Sequence, residues 1–461
     1  MNSQSSQPQH PWPAPGQAWY MVIILTIAYT FSFLDRQILT LLVKPIRADM
    51  QITDFQMSLL MGFAFGIFYS FMGLPISRWI DRGSRRKIIF IGITVWSLMT
   101  AACGLARNYL HLFLARIGIG AGEAALNPSA FSMVSDSFPE KQRSLAIAIF
   151  HLGIPFGSGM ALIVGGYVID LLASIDIASI AFLPISYSWQ LTFIVVGLPG
   201  LLVALLMLTV IEPQRRGLIR AQQNTSTVNQ KLPLRQVAGF IFRRKAAYFA
   251  IIFGVGMKIT LGYGSAAWVP AYFMRTFGWS AGEFGPLYGS LSIVVGIVSI
   301  FFCGMLANRI TARGGRDANL RIILLGYVIG IPFAIAAPLM SDPAWAISFF
   351  MCAYFFTNFH VLTPAALMAI TPNQMRGQVS ALYVFIVNLI GLGLGPSIIA
   401  AFTDFLFGSD LAVGKSLALT AAILGPLGAL ILYSGMRAYR NCLNDSLEWE
   451  VDPSHPGETK R

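Results

Sequence analysis

Arg116-Ile-Gly-Ile-Gly-Ala-Gly-Glu-Ala124 sets an arginine and a glutamate into an otherwise apolar run. A second interruption, Phe31-Ser-Phe-Leu-Asp-Arg-Gln37, carries Asp35 and Arg36 in the first apolar run of the chain. The chain has 461 residues, of which 56% are hydrophobic and only 11% charged, where a soluble domain carries about 25% charged residues. The runs are therefore read as membrane spans. Charges inside a bilayer cost about 2.5–3.5 kcal/mol each on insertion scales and persist where they pair or line a water-filled path. A chain that keeps both interruptions is expected to move a solute; an ion pair that only fixes helix packing is the plainer alternative.

Apolar segments of roughly 20 residues indicate spanning helices rather than the shorter alternating strands of a barrel. The first half is expected to cross at 19–43, 55–77, 88–106, 110–134, 144–170 and 189–211, and the second at 247–274, 282–308, 320–339, 344–369, 377–402 and 415–438. The fold class is thus all-α integral membrane, with twelve transmembrane helices in two six-helix halves. The expected organisation is a disordered N-terminal tail (1–18), an N-terminal half (19–211), a cytoplasmic linker (212–246), a C-terminal half (247–438) and a cytoplasmic C-terminal tail (439–461).

The net charge of +12 would suggest a nucleic-acid partner in a soluble protein, but here the basic residues collect in particular loops. Arg78, Arg82, Arg85, Arg86 and Lys87 follow the second span, and Arg309, Arg313, Arg316 and Arg321 follow the eighth. The central segment adds Arg215, Arg216, Arg220, Lys231, Arg235, Arg243, Arg244 and Lys245, whereas the loop after the fifth span offers Asp170 and Asp176. Such asymmetry places both termini in the cytoplasm, in a multi-pass protein of the inner (plasma) membrane. The polar N-terminus lacks the basic region of a cleavable signal peptide. Cys103, Cys303, Cys352 and Cys442 are scattered without metal-ligand spacing, so neither a disulfide nor a metal is expected.

The halves look related. Pro139-Glu-Lys-Gln-Arg143-Ser144 and Pro372-Asn-Gln-Met-Arg376-Gly377 follow the fourth and tenth spans, and Asp81-Arg82 and Asn308-Arg309 end the second and eighth. Parallel six-helix repeats with a site between them are a known transporter plan. The segment Gly73 to Lys87, with Asp81, Arg82, Arg85 and Arg86 in its charged positions, resembles the loop motif of the major facilitator superfamily. In that family the loop helps latch the cytoplasmic side, so these four residues are candidate gating residues. Arg116 matches the family's fourth-helix arginine, and Gly153-Ile-Pro-Phe-Gly157-Ser-Gly159 resembles its fifth-helix motif, which is read as close packing.

A narrower resemblance spans most of the first half. Phe33-Leu-Asp-Arg-Gln37, Trp96-Ser-Leu-Met-Thr100, Gly104-Leu-Ala-Arg107, Arg116 to Ala124, Val196-Gly-Leu-Pro-Gly200 and Glu212-Pro213 resemble the spinster branch. Ser188-Trp-Gln190 departs from it where Gly-Trp-Arg would be expected. The resemblance implies a proton-coupled lipid transporter, of lysophospholipid or sphingosine-1-phosphate type, working by alternating access.

Depth makes the buried charges coherent. At about 1.5 Å per residue, Asp35 lies about 12 Å from the outer boundary, Arg116 about 9 Å and Glu123 about 20 Å. Asp35 and Arg116 can then face each other, with Glu123 two turns deeper on the same face. A carboxylate keeps its charge beside an arginine and takes a proton when the arginine moves away, so Asp35 and Glu123 are the expected proton carriers and Arg116 their control. Arg36 and Lys258 are candidates to attract an anionic headgroup, and Asn358 and His360 are weaker substrate-binding candidates. His151 is read as a packing residue. A small organic anion such as a sugar acid suits the same arginines. A non-transporting lipid sensor or an intramembrane enzyme is the reading from another class; no nucleophile motif, metal cluster or nucleotide-binding loop supports an enzyme. No cofactor is expected. The expected partners are the substrate, protons and the bilayer around a monomer.

Overall fold

The computed structural model describes residues 12–175, 185–215, 234–372 and 374–451. Helices α1 (Pro15–Leu41) and α2 (Val43–Met50) lead to α3 (Asp54–Ser58), which passes through a π turn (Leu59–Phe63) into α4 (Ala64–Arg82). Next come α5 (Arg85–Cys103), α6 (Tyr109–Glu123), α7 (Leu126–Ser137), α8 (Glu140–His151), α9 (Gly153–Ala173), α10 (Ser188–Gly197) and α11 (Pro199–Thr209). The second half contains α12 (Leu234–Arg243), α13 (Lys245–Thr276), α14 (Ala281–Ala312), α15 (Ala318–Ala336), α16 (Pro343–Thr357), α17 (Thr363–Ala369), α18 (Arg376–Ala401) and α19 (Val413–Val451). Local chemistry sets several starts. Thr53 with Gln56 and Ser280 with Glu283 form capping boxes, and Asn108 accepts a hydrogen bond from His111 N, each satisfying donors that a helix start leaves open.

Eleven helical segments among the described residues are long and apolar enough to span a bilayer. The twelfth crossing is α6 with α7, interrupted at Ala124 and Ala125, directly beside Glu123. Twelve crossings put both termini at one end of the bundle. The opposite end is called the far end below.

Several segments differ from expectation. The first helix begins at Pro15, inside the expected tail, because proline is preorganised for the first helical turn; Ala18 and Met21 are already buried. Within the expected linker, α12 is helical and amphipathic and buries Val237 and Phe240 against the second half. The last helix continues into the expected C-terminal tail, where Tyr439 and Leu443 join the core. Residues 1–11, 216–233 and 452–461 of the tails and linker, and Asp176, lie outside the described residues.

The buried apolar cluster of the first half runs on into Trp268, Tyr272, Phe273, Phe284 and Leu392 of the second. A separate core, with Tyr248, Tyr327, Leu432 and Tyr439, fills the terminus-bearing end of the second half. The halves meet along α9 against α14 and along α4 against α18. A Cβ on Gly159 would lie 2.6 Å from the Gly289 carbonyl oxygen, and one on Gly289 would lie 2.5 Å from that of Gly159. Only glycine allows so close a backbone approach.

Candidate functional site

Ser32 and Arg36 are four residues apart on α1 and so share a face. Both turn to Glu123 at the end of α6. Arg36 donates to Glu123 Oε2 through Nε at 2.8 Å and Nη2 at 2.5 Å. Ser32 Oγ donates to the same oxygen at 2.6 Å and accepts from Arg36 Nη2 at 3.1 Å. Glu123 Oε1 has no hydrogen-bond partner among the described residues. The guanidinium lies 4.6 Å from the ring centres of both Phe33 and Phe65, and 5.3 Å from that of Tyr69, a cation held against aromatic faces. Beyond it, Asn127 Nδ2 donates to Tyr69 at 3.0 Å and to Tyr29 at 3.4 Å. Tyr263 of α13 comes within electrostatic reach of Arg36, bringing the second half to the same place.

Asp35 is 1% exposed, and neither carboxylate oxygen has a hydrogen-bond partner among the described residues. The Thr100 hydroxyl of α5 approaches it without reaching normal bonding geometry. Arg116 reaches the level of Asp35, as its depth predicts, yet binds carbonyls. Its Nε donates to Leu60 O at 3.1 Å, and its Nη1 to the backbone oxygen of Asp35 at 3.4 Å. The π turn supplies the first acceptor, because Ala64 N reaches back to Leu59 O and leaves the Leu60 carbonyl available. Arg36 thus holds Glu123, and the carboxylate of Asp35 stands apart from both arginines' hydrogen bonds.

The candidate residues of the second half gather where the tenth crossing breaks. Between α16 and α17 a 3₁₀ turn (Asn358–Leu362) carries Asn358 and His360. His360 Nδ1 lies 2.9 Å from Thr357 O. Lys258, 3% exposed on α13, has its Nζ 4.6 Å from the ring centre of Tyr327.

Among the candidate gating residues, Arg85 is fully buried. It pairs with Asp136, donates to Ser132 Oγ at 2.9 Å and to Pro213 O at 2.6 Å, and meets Glu212 Oε1 at 3.3 Å. Burial opposes charge on Glu212, but hydrogen bonds from Ser84 and from the backbone and side chain of Arg85 outweigh it and hold its carboxyl below the usual range. Arg86 donates to Val210 O at 3.2 Å. Arg82 ends α4 exposed to solvent, and the Asp81 side chain lies outside the described residues. Arg85 and Arg86 therefore tie the third crossing to the end of the sixth, within the first half.

A cluster at the far end escaped the sequence reading. Asp54, fully buried, accepts from Arg275 Nη1 at 2.6 Å and Nη2 at 2.7 Å, and from Arg47 Nη1 at 3.0 Å. Arg47 also meets Asp410 Oδ2 at 2.6 Å. Nearby, Asp404 Oδ2 accepts from Phe55 N at 2.6 Å, Ser58 donates to Ser397 at 3.2 Å, and Ser280 donates to Asp170 at 2.9 Å. Each of these last three bonds joins the two halves. The available signal was a set of opposite charges bordering the first, second, seventh and eleventh spans, all on one side.

The chain is similar to known proteins over nearly its whole length. A relative described as an MFS-type efflux pump, from Mycolicibacterium smegmatis, is 28% identical over 437 residues, covering 92% of this chain and 94% of the relative. The hexuronate transporter of Bacillus subtilis is 24% identical over 419 residues, covering 86% and 93%. A crystal structure of a bacterial homologue of the human lysosomal transporter spinster, inward-facing and occupied, superposes with a TM-score of 0.73 at 27% identity, covering 95% of this chain and 99% of that one. The model of the Major Facilitator Superfamily matches residues 25–396. With its twelve crossings, its two packed halves and this match, the chain belongs to the major facilitator superfamily of membrane transporters.

Proposed function

We propose that this transporter is a proton-coupled secondary carrier of an amphipathic, lipid-like anion, working by alternating access across a bacterial inner membrane as a monomer. The observation that carries this reading is the buried Arg36–Glu123 ion pair, 2.5 Å long, beside the unbonded carboxylate of Asp35. Asp35 can take a proton without breaking a hydrogen bond. A proton on Glu123 removes the charge that holds Arg36, and the released guanidinium becomes available to an anionic headgroup. Binding of proton and anion is then cooperative, and linkage makes that cooperativity reciprocal. Arg116, fixed by two carbonyls, anchors α6 against α1 and the π turn before α4 while the pair rearranges. The aromatic wall of Phe33, Phe65, Tyr69 and Tyr263 suits an acyl chain.

The basic residues at the terminus-bearing end orient it to the cytoplasm. The far-end cluster is then the outer gate, its ion pairs formed in this structure. The relatedness to the hexuronate transporter supports a second reading in which a sugar acid meets Arg36.

Reconstitution with a trapped pH dye tests the proposal. Lysophosphatidate added to proteoliposomes is expected to drive a proton flux that falls about tenfold or more in Asp35→Asn and Glu123→Gln. Flux with glucuronate alone favours the second reading. Flux undiminished in both variants refutes proton coupling through these carboxylates.

A further inference from the structure

We propose that the second half holds its own anion-binding site, centred on Lys258, which takes the carboxylate or phosphate of the transported molecule; this rests on the transport function proposed above. Lys258 is 3% exposed, and its Nζ has no hydrogen-bond acceptor among the described residues. An ammonium taken out of water without an acceptor is strongly disfavoured, and the Tyr327 face offers only part of what water supplied.

The neighbours do not supply the rest. The Tyr327 hydroxyl donates to Gly254 O at 2.5 Å, and the Cys303 thiol donates to Ile300 O at 3.2 Å. His360, within electrostatic reach of Lys258, has Nδ1 committed to Thr357 O. No aspartate or glutamate occurs in the interior of α13 to α18: Glu283, Asp317 and Asp342 all sit at helix starts. The first half carries its counter-charges internally, while the second half carries a cation and no counter-ion.

A second donor points the same way. Asn358 Nδ2, on the same 3₁₀ turn as His360, is buried and has no acceptor in full bonding geometry among the described residues, although the Tyr354 hydroxyl approaches it. Gly262, one turn past Lys258 on the same face of α13, lies beside the start of this turn, with a Cβ there 3.6 Å from the methyl group of Thr357, the last residue of α16. Two neighbouring elements thus present donors that lack acceptors, and an anion supplies what both lack. The site is not sealed, because Met257, Leu261, Gly262, Asn358 and His360 are only half-buried. Arg36 is already engaged by Glu123, so Lys258 is the cation open to an incoming anion in this conformation.

The test titrates purified full-length protein in nonionic micelles with 1-oleoyl-lysophosphatidate and with glucuronate, each beside its neutral counterpart, monooleoylglycerol and glucose. Lys258→Met is expected to weaken anion binding by about tenfold or more, with the neutral counterpart unaffected, and Lys258→Arg to restore it to within about threefold. Loss confined to lysophosphatidate assigns the site to a lipid headgroup. Loss confined to glucuronate keeps the Lys258 site and removes the lipid reading. Equal anion affinity in wild type and Lys258→Met, or no anion binding by wild type, overturns the site. A proton flux still abolished by Asp35→Asn would in that case leave the transport function standing.

Discussion

Replacing Asp54 with asparagine should open the far end. The fully buried carboxylate holds Arg275 of the second half by two bonds of 2.6 and 2.7 Å and Arg47 of its own half by one of 3.0 Å. Removing one partner of a buried charge pair costs about 3–5 kcal/mol. Asparagine keeps one acceptor oxygen, and Asp410 still engages Arg47 through its carboxylate and Arg275 through its backbone oxygen. The closed state should therefore lose about 2–3 kcal/mol, which raises the open population about 30- to 150-fold. Ser397, packed against Ser58 behind this cluster, reports that population when replaced by cysteine. The exposed Cys352 is removed first; Cys103, Cys303 and Cys442 are buried. The rate at which Ser397→Cys reacts with an impermeant maleimide is proportional to the fraction of time the far end is open. Asp54→Asn should raise it about 30-fold or more, while a cysteine at exposed Ala48 reacts at an unchanged rate. An unchanged Ser397→Cys rate in folded Asp54→Asn protein refutes the role of this cluster in closure.

Other perturbations read other parts of the structure. Gly289→Val places its Cβ against the Gly159 carbonyl and 3.2 Å from Leu162 Cβ; the chain should still fold, because each half has buried apolar packing of its own, but transport should slow about tenfold or more in the proteoliposome assay. Glu212→Gln should destabilise the protein by about 1 kcal/mol near neutral pH in a denaturation series. The sign with pH follows from the depressed carboxyl of Glu212: its stabilisation is complete above the ordinary glutamate value of about 4.3 and is lost as pH falls through the lower folded value. The difference between wild type and variant should therefore be flat from about pH 6 to 8 and shrink in acid; a difference that grew on acidification would show that Glu212 is not stabilised as a carboxylate.

The crossings were legible because apolar length is a direct physical requirement of the bilayer. Breaks within them were not. Ala124 and Ala125, and Asn358 to Leu362, interrupt crossings just before Pro128 and Pro364, but proline alone does not mark a break, because Pro270, Pro286, Pro332 and Pro396 sit inside unbroken helices; tertiary packing decides them. Residues 234–243 adjoin a strongly polar stretch, and 439–451 mixes Arg440, Asn441, Asn444 and Asp445 with its apolar residues, so they read as linker and tail, although both segments put apolar side chains into the core. The buried charges of the first half were legible from their cost. Their pairing was not: depth placed Arg116 beside Asp35, but side-chain direction gave Glu123 to Arg36, and the π turn before α4 gave Arg116 a carbonyl. The far-end cluster was invisible for a related reason. Arg47, Asp54, Arg275 and Asp410 each look like ordinary boundary charges until the halves are brought together.

The seam between α9 and α14 has a mechanical consequence. Helices usually interlock through side chains, so turning one against the other requires projections to leave their sockets. At Gly166 and Gly285 the contact surfaces are bare backbone, whereas the Ile293 and Ile163 side chains lie over Gly159 and Gly289. Around Gly166 and Gly285 the halves can turn at nearly constant separation, and Ile293 and Ile163 are the projections that have to shift. On the alternating-access reading proposed above, resistance to the motion then resides in these two isoleucines and in the ionic cluster at the rim, and a substrate acts by changing the balance at the rim.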